Sequence, residues 1–500
     1  MHVGGEMKRF SIFIFFLVFS LLANEVQHVV VVGGGLAGLS AAIEAQRAGA
    51  TVLLLEKSSD IGGNSKKASS GMNASLTPAQ DRRKIVDTCE SFVRDTLVSG
   101  KGFSNKILVE TLVNESCDAW KFLTELGVDL NIVSQTGGHL VARTHRAEQK
   151  ERVAVTTIGV DIITALSRYV QECFPFISVV THARVVKLIK DDEGAVVGVV
   201  YEQGDNYYKV RADAVILATG GFCGQTGKDS LLAQWRPDLV SLGTTNGSCA
   251  DGDGIRLAGS LGAKIVDMEK VQIHPTGFVH PSYPNELRKF LAPESLRAAG
   301  GILLNHKGHR FTNELGKRDG VTDAILSNCV PYCAYGEDGP ISAYLVLNEE
   351  GAKLFQQNVL DFYIRRGFVQ QVADINVLAD FIGVNHEEII KTFDEYNDCS
   401  IKGCDRFGKN IFPIKAFDIG QPLYVMIITP CLHYAMGGLQ FNERAEVLGG
   451  DGSIKNLYAA GEVTGGLHGA NRLCGNSLLE CVVFGRRAGK NAVLSKKKPR

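Results

Sequence analysis

No Cys-x-x-Cys spacing occurs among the 12 cysteines of this chain. Zinc ribbons, thioredoxin-like redox motifs and c-type haem attachment therefore lack their signatures, and no metal-ligating pattern is evident. The cysteines are scattered, so buried free thiols are expected; Cys329–Cys333 and Cys399–Cys404 are the pairs spaced for a disulfide or a redox sensor. Proline is sparse at 13 residues and no Gly-X-Y repeat is present, which excludes a collagen-like chain. Neither sign of charge dominates. Lys+Arg number 53 against 54 Asp+Glu, a net charge of -1 that argues against nucleic acid as the main partner. No internal repeat and no long low-complexity linker interrupts the chain.

A long hydrophobic run is also missing. Lys8 and Arg9 precede the apolar stretch Phe10–Ala23, which is shorter than the about 20 residues of a membrane span and closer to a signal-peptide core. Residues 1–23 are expected to be a signal peptide or membrane anchor; a buried first strand or helix is the alternative. The rest has the composition of a globular protein, with 45% hydrophobic and 21% charged residues. Its 500 residues exceed what one core supports, so two or three domains are expected. Glycine is the excess. The chain has 55, where average usage gives roughly 35, and the surplus belongs in turns and in close backbone approaches to a ligand.

Val29–Val32 is a continuous β-branched run, the pattern of a strand buried on both faces of a parallel sheet. It leads into Gly33-Gly34-Gly35-Leu36-Ala37-Gly38 and an alanine-rich helix, and a second apolar strand, Thr51–Leu55, ends at Glu56. Gly33, Gly35 and Gly38 thus keep the G-x-G-x-x-G spacing in its strand–turn–helix context. The backbone around Ala37 approaches a pyrophosphate there, and Glu56 accepts from the adenosine ribose. A small-residue stretch follows, with Asn64, Ser65, Ser70 and Gly71 placed to lie against an isoalloxazine ring. Leu457–Glu462, a strand turning into glycines, resembles the segment that closes the cofactor site of glutathione-reductase-type flavoproteins. FAD is favoured over NAD. The fold class expected is α/β, an FAD-binding Rossmann-like domain with an inserted α+β capping domain.

Five further segments complete a set. They are Gln272–Thr276, Glu294–Arg297, Arg310–Glu314 leading to Arg318-Asp319, His433–Gly438 and His468–Leu473. Together and in this order they resemble the soluble fumarate reductase flavoproteins, part of the succinate dehydrogenase/fumarate reductase flavoprotein family, from about Val26 to Gly489. The resemblance is to the fungal-type enzymes and to the flavin domain of flavocytochrome c. It implies reduction of fumarate to succinate by hydride from flavin N5, with Arg318 as proton donor and Glu294 and Arg297 relaying protons to it. It implies that His274, His433 and Arg472, with Gly71, hold the substrate carboxylates; arginine suits this because its planar fork bonds a carboxylate twice. Asp253, Glu462, Asn476, Ser477 and Leu478 are expected at the flavin. The membrane-complex relatives link FAD to a histidine in the segment aligned with Ser65–Ser70; this chain has none there, so noncovalent FAD is expected. Cys474 stands where many relatives have glycine.

The expected domains are an FAD-binding domain over 26–269 and 431–491, a substrate-capping domain over 270–430 and a basic tail over 492–500. Alternatives are reduction of another enoate, such as urocanate or an acrylate, or a role as the flavoprotein subunit of a membrane complex. The partners expected are fumarate and succinate, with reduced flavin or another electron donor, in a monomeric protein. Membrane association would run through the N-terminal segment. The secretory pathway or endoplasmic reticulum is the expected location, with a mitochondrial or membrane-anchored form as the alternative. His139, Arg143, His145 and Arg146 form a basic cluster that reads as a solvated or substrate-entry loop.

Overall fold

The computed structural model describes residues 26–148, 156–334 and 337–494. The expected signal peptide or anchor over 1–23 and the end of the basic tail lie outside the described residues. No helix among the described residues is long and apolar enough to cross a membrane.

The β-branched run at Val29–Val32 lies at the centre of a six-stranded sheet because nothing in it can face water. The strand His28–Val32 pairs in parallel with Thr51–Leu55 on one side and Ala214–Leu217 on the other. Ile177–Val180 and Gly452–Ala459 extend the sheet in parallel, and Glu446–Gly449 closes one edge antiparallel. One face packs on the helices Leu36–Arg47, Ile158–Glu172 and Asn476–Leu494. The other is covered by a three-stranded antiparallel sheet, Arg184–Lys190, Val196–Gln203 and Asn206–Arg211. Helices Leu36–Arg47 and Asn476–Leu494 meet almost backbone to backbone. A Cβ on Gly485 would lie 2.5 Å from the Ala37 carbonyl oxygen, and one on Gly489 would lie 2.3 Å from that of Ala41. Only glycine permits that approach, and it brings the start of the long C-terminal helix to the glycine turn.

A second sheet runs Val271–Phe278, Leu423–Ala435, Glu337–Asn348, Ile302–Leu304. Both of its faces are covered. Phe278, Leu345 and Met426 pack with Val321, Ile325, Phe355 and Leu360 on one side, and Val346, Leu423 and Val425 pack with Leu378, Phe393 and Tyr396 on the other. The strand Leu423–Ala435 passes through residue 430, so one continuous strand carries the chain from this sheet back toward Gly437 and Gly438. That strand matters for the site. It pairs antiparallel with Val271–Phe278, with Ile273 opposite Leu432 and His274 opposite Cys431. The register therefore sets His274 and His433 beside one another, with ring centroids 5.0 Å apart.

Candidate active site

The glycine turn has the features of an anion cradle. Gly33 has φ +105°, and a Cβ there would sit 2.4 Å from the Ala218 carbonyl oxygen, so no other residue fits the turn. At Gly35 the opposite holds: a Cβ would meet nothing nearer than Ser65 Oγ at 3.9 Å, which leaves the backbone open to a ligand. The helix Leu36–Arg47 begins there with no side-chain cap and no acid in its first turn, so its amino-terminal charge is available to a pyrophosphate. Ala37 and Gly38 are buried in that first turn. Glu56 is held at the end of its strand by the N–H groups of Gly34 and Ser58, each 2.8 Å from a carboxylate oxygen.

Around this cradle, Ser65 Oγ accepts from the Leu36 N–H at 3.3 Å. Asn64 is fixed by Asn246 and by the Gly247 N–H. Thr219, whose Cα lies beside Gly33, has a buried Oγ1 with no partner among the described residues. Gly71 has φ +128° and lies against the His145 carbonyl. Glu462 accepts from the Ala435 N–H at 2.9 Å, and burial pushes its carboxyl up to about 7. The helix Asn476–Leu494 presents Asn476, Ser477 and Leu478 at its start. An open glycine turn, an uncapped helix and the orphaned Thr219 hydroxyl fit FAD.

Beyond this region the substrate-side residues gather into one buried cluster. Arg318 opens the helix Arg318–Asn328 and donates from Nε to Glu294 Oε2 at 2.9 Å and from Nη1 to Gln272 Oε1 at 2.8 Å. Gln272 Nε2 in turn donates to Asn471 Oδ1 and to the Arg472 carbonyl. Glu294 and Arg297 share a face of the short helix Glu294–Ala298, and Arg297 Nη2 is 3.7 Å from Glu294 Oε2. Arg297 Nη1 donates to the Glu314 carbonyl. Burial works against the Glu294 charge, but Arg318 and Arg297 outweigh it and hold the carboxyl below its ordinary value. Burial likewise opposes the Arg318 charge, and Glu294 outweighs it, so Arg318 stands above its ordinary value.

Four polar atoms of His274, Arg297 and Arg472 have no hydrogen-bond partner among the described residues. They are His274 Nε2, Arg472 Nε and both Nε and Nη2 of Arg297, all buried. His274 Nδ1 lies 3.2 Å from the Thr276 N–H and 3.1 Å from the Thr276 carbonyl oxygen, so its protein contacts accommodate either neutral tautomer. Burial, with Arg318 close by, holds both His274 and His433 well below the ordinary histidine range, so both rings are neutral. They serve as neutral hydrogen-bonding groups. Arg472 lies with its guanidinium carbon 4.6 Å over the Tyr434 ring, and burial and Arg318 lower it to about 10. Arg297, Arg318 and Arg472 face Glu294 and, beside Arg472, Glu462, whose carboxyl burial pushes up to about 7, so the pocket keeps an excess of positive charge. Such a buried excess suits an anionic substrate.

Two expectations change. The cluster His139, Arg143, His145 and Arg146 is no solvated loop: Arg143 is 0% exposed and His139 and His145 are buried. The sequence hides the reason, because the neutralising acids are Asp87 and Asp95, which pair with Arg143 at 2.8 and 2.5 Å. Asp253 is likewise not free for a flavin. Its carboxylate is held by Lys57 at 3.0 Å and Arg184 at 2.9 Å, on the Glu56 side of the fold. The thiols of Cys399, Cys404 and Cys329 are free. Cys474 is buried, and its thiol contacts the Ser70 hydroxyl and Arg318. Among the residues that sequence reasoning passed over, Gln272 and Asn471 lie inside quoted motifs and were findable there. Tyr434, His468 and Glu480 form a network behind Arg472, in which Glu480 accepts from both Tyr434 and His468. No local pattern announces it.

Comparison with known proteins agrees with this geometry. A family model described as an FAD binding domain matches residues 28–478. The chain is 39% identical to fumarate reductase 1 of Saccharomyces cerevisiae over 94% of its own length and 99% of that protein's. It is 37% identical to the fumarate reductase of Schizosaccharomyces pombe, over 94% and 90%. Among solved structures it resembles the open conformation of a flavocytochrome c3 fumarate reductase, with a TM-score of 0.73, 32% identity and coverage of 99% of this chain and 82% of that one.

Proposed function

The chain belongs to the fumarate reductase flavoproteins, and from that membership and its site we propose that it reduces fumarate to succinate. The observation that carries this reading is the pocket's excess of positive charge: Arg472 Nε and His274 Nε2 are buried without partners among the described residues, beside the Arg318–Glu294 pair. A small dicarboxylate supplies negative charge and acceptors for those groups.

FAD, held noncovalently by the glycine turn, Glu56 and the segments around Ser65, Gly71, Glu462 and Asn476, supplies the hydride when bound. The protein's own residues do the rest. Arg472 takes one carboxylate through its fork, and His274 and His433 bond the substrate as neutral groups, which polarises the alkene without placing two further cations in the core. Arg318 gives a proton to the second carbon. Because Glu294 holds Arg318 above its ordinary value, the guanidine cannot stay deprotonated. It must recover its proton at once. Glu294, bonded to Arg318 Nε, is placed to return it, and Arg297 stands next in line.

Reduced flavin or another donor supplies electrons, and the protein works as a monomer. Lys8-Arg9 ahead of Phe10–Ala23 supports entry to the secretory pathway, with a mitochondrial or membrane-anchored form as the alternative. The test is direct. The flavin is reduced without oxygen, mixed with fumarate, and its absorbance followed; rapid reoxidation with one succinate per flavin is expected. Reoxidation by urocanate or acrylate but not by fumarate would overturn the substrate.

A further inference from the structure

The segment Gln135–Arg143 touches the site twice without contributing any residue to it. The Gly137 N–H donates to Glu294 Oε1 at 2.9 Å. Two residues on, His139 lies between Arg143 and the Cys474 carbonyl. Arg143 Nη1 is 3.1 Å from His139 Nδ1, and His139 Nε2 is 3.1 Å from the Cys474 oxygen. A guanidinium only donates, so Nδ1 is the acceptor and Nε2 carries the proton given to Cys474. Burial and the Arg143 charge lower His139 to about 4, so this tautomer persists at any working pH. Asn73 Nδ2 reinforces the same carbonyl at 2.6 Å and reaches Asn476 Oδ1 at 2.7 Å.

Arg143 is the fixed end of this arrangement. It bonds Asp87 through two nitrogens and Asp95 through a third, and it lies 4.7 Å over the Phe92 ring. Asp95 also accepts from the Leu140 N–H, which ties the loop to the same ion cluster. The loop has no slack at its other end. A Cβ on Gly137 would lie 2.9 Å from Glu294 Oε1 and 3.1 Å from the Gly316 carbonyl oxygen.

We infer that His139 and Arg143 are positioning residues for proton delivery: through the Gly137 N–H and the Cys474 carbonyl they fix the Glu294 carboxylate relative to the Arg472–Asn476 turn. This rests on the functional reading above, in which Glu294 relays the proton to Arg318. The groups facing Glu294 are Arg318, Arg297, the Gly137 N–H, His139 and the Cys474 thiol. Arg318, Arg297 and Gly137 favour the carboxylate; the thiol is neutral, and so is His139. Removing the Gly137 bond therefore moves Glu294 upward. A step that needs the carboxylate is lost as pH falls through that value, so the acid limb of the kcat profile shifts to higher pH.

The test compares His139→Ala, His139→Gln and Gly137→Ala with the wild type, all with full FAD by absorbance. His139→Ala and Gly137→Ala should lower kcat about tenfold or more, the scale of a misplaced catalytic group. The acid limb should move upward while KM for fumarate, and malonate affinity by calorimetry, stay within about twofold. Glutamine carries an acceptor and a donor on one amide, so His139→Gln should recover most of the loss. Gly137→Ala leaves the Arg143–Asp87–Asp95 ions untouched, acts on Glu294 directly by displacing its Oε1 oxygen, and keeps the test alive if His139→Ala does not fold. The inference is overturned if both variants keep the wild-type kcat. It is equally overturned if kcat falls with the acid limb unmoved and glutamine no better than alanine, since that is a structural role alone. A wild type whose reduced flavin ignores fumarate would overturn the functional reading first, before any variant is made.

Discussion

Arg318 Nε and Glu294 Oε2 are 2.9 Å apart in a pocket where the two side chains are 6% and 3% exposed. They come from different elements, the start of the helix Arg318–Asn328 and the short helix Glu294–Ala298. A buried pair of this kind adds little net stability against apolar residues of the same size. Its merit here is chemical. It places a proton donor and the group that restores it on either end of one hydrogen bond, with Gln272 fixing the donor's remaining direction.

Arg318→Ala should lower the single-turnover rate of flavin reoxidation by fumarate by about 10²–10⁴-fold, the usual worth of a positioned proton donor. FAD content should stay at the wild-type level, because no residue of the glycine cradle bonds Arg318. Arg318→Lys retains charge but lacks the fork that bonds Glu294 and Gln272 together, so it should recover little. Stopped-flow absorbance of the reduced flavin checks both. Near-normal rates in either variant would remove Arg318 from the mechanism.

The parts of this protein legible in its sequence are those in which one short segment carries the whole signal. Val29–Val32 with Gly33–Gly38 and Glu56 is strand, turn, helix and acid in one run, and the structure has all four in place. His274 and His433 were legible as residue types through the family resemblance. Their adjacency depends on the register of two strands more than 140 residues apart in the chain, and no spacing rule encodes it. Their neutrality was not legible either, because it follows from burial beside Arg318. The His139–Arg146 cluster misled for the same reason in reverse. Its positive charge is local, whereas Asp87 and Asp95, which cancel it, lie about fifty residues upstream.

Glu314 should be the most sensitive stability position outside the site. Its carboxylate accepts from Arg310 at 2.8 and 2.9 Å and from Lys409 at 2.8 Å, and Lys409 is 0% exposed. Replacing Glu314 by alanine leaves that ammonium buried without its partner, a loss of about 3–5 kcal/mol for a broken buried pair. Urea unfolding should show a lower midpoint with little change of slope. The pH dependence has a definite sign. Burial would raise the Glu314 carboxyl, but Lys409 and Arg310 outweigh it and hold it at about 2, below the ordinary 4.5. Its contribution is present above the unfolded value and is lost as pH falls toward 2. The acid sensitivity of the wild type in that window should be absent from Glu314→Ala.

Noncovalent FAD predicts a simple outcome. The segment from Ser65 to Ser70 offers no histidine, and its residues are serine, lysine and alanine. Precipitating the protein with acid should leave the yellow colour in the supernatant, and mass spectrometry of the pellet should show the unmodified polypeptide mass. Flavin retained in the pellet would show a covalent bond formed at another residue.

Glu462 carries the opposite pH dependence to Glu314, and the two can be separated in one set of melts. Burial raises its carboxyl from 4.5 to about 7, despite the Ala435 N–H and Arg472, which favour the charged form. The folded protein therefore binds more protons than the unfolded chain between those two values. Stability falls as pH rises through this window, and above about 7 the full cost of the buried charge is present. Glu462→Gln removes the titration while keeping an acceptor for the Ala435 N–H. The wild-type Tm should decline between pH 5 and 7 relative to the variant, and the two curves should run parallel above pH 8. Equal slopes across the whole range would mean that Glu462 is ionised throughout, with Arg472 and not burial setting its state.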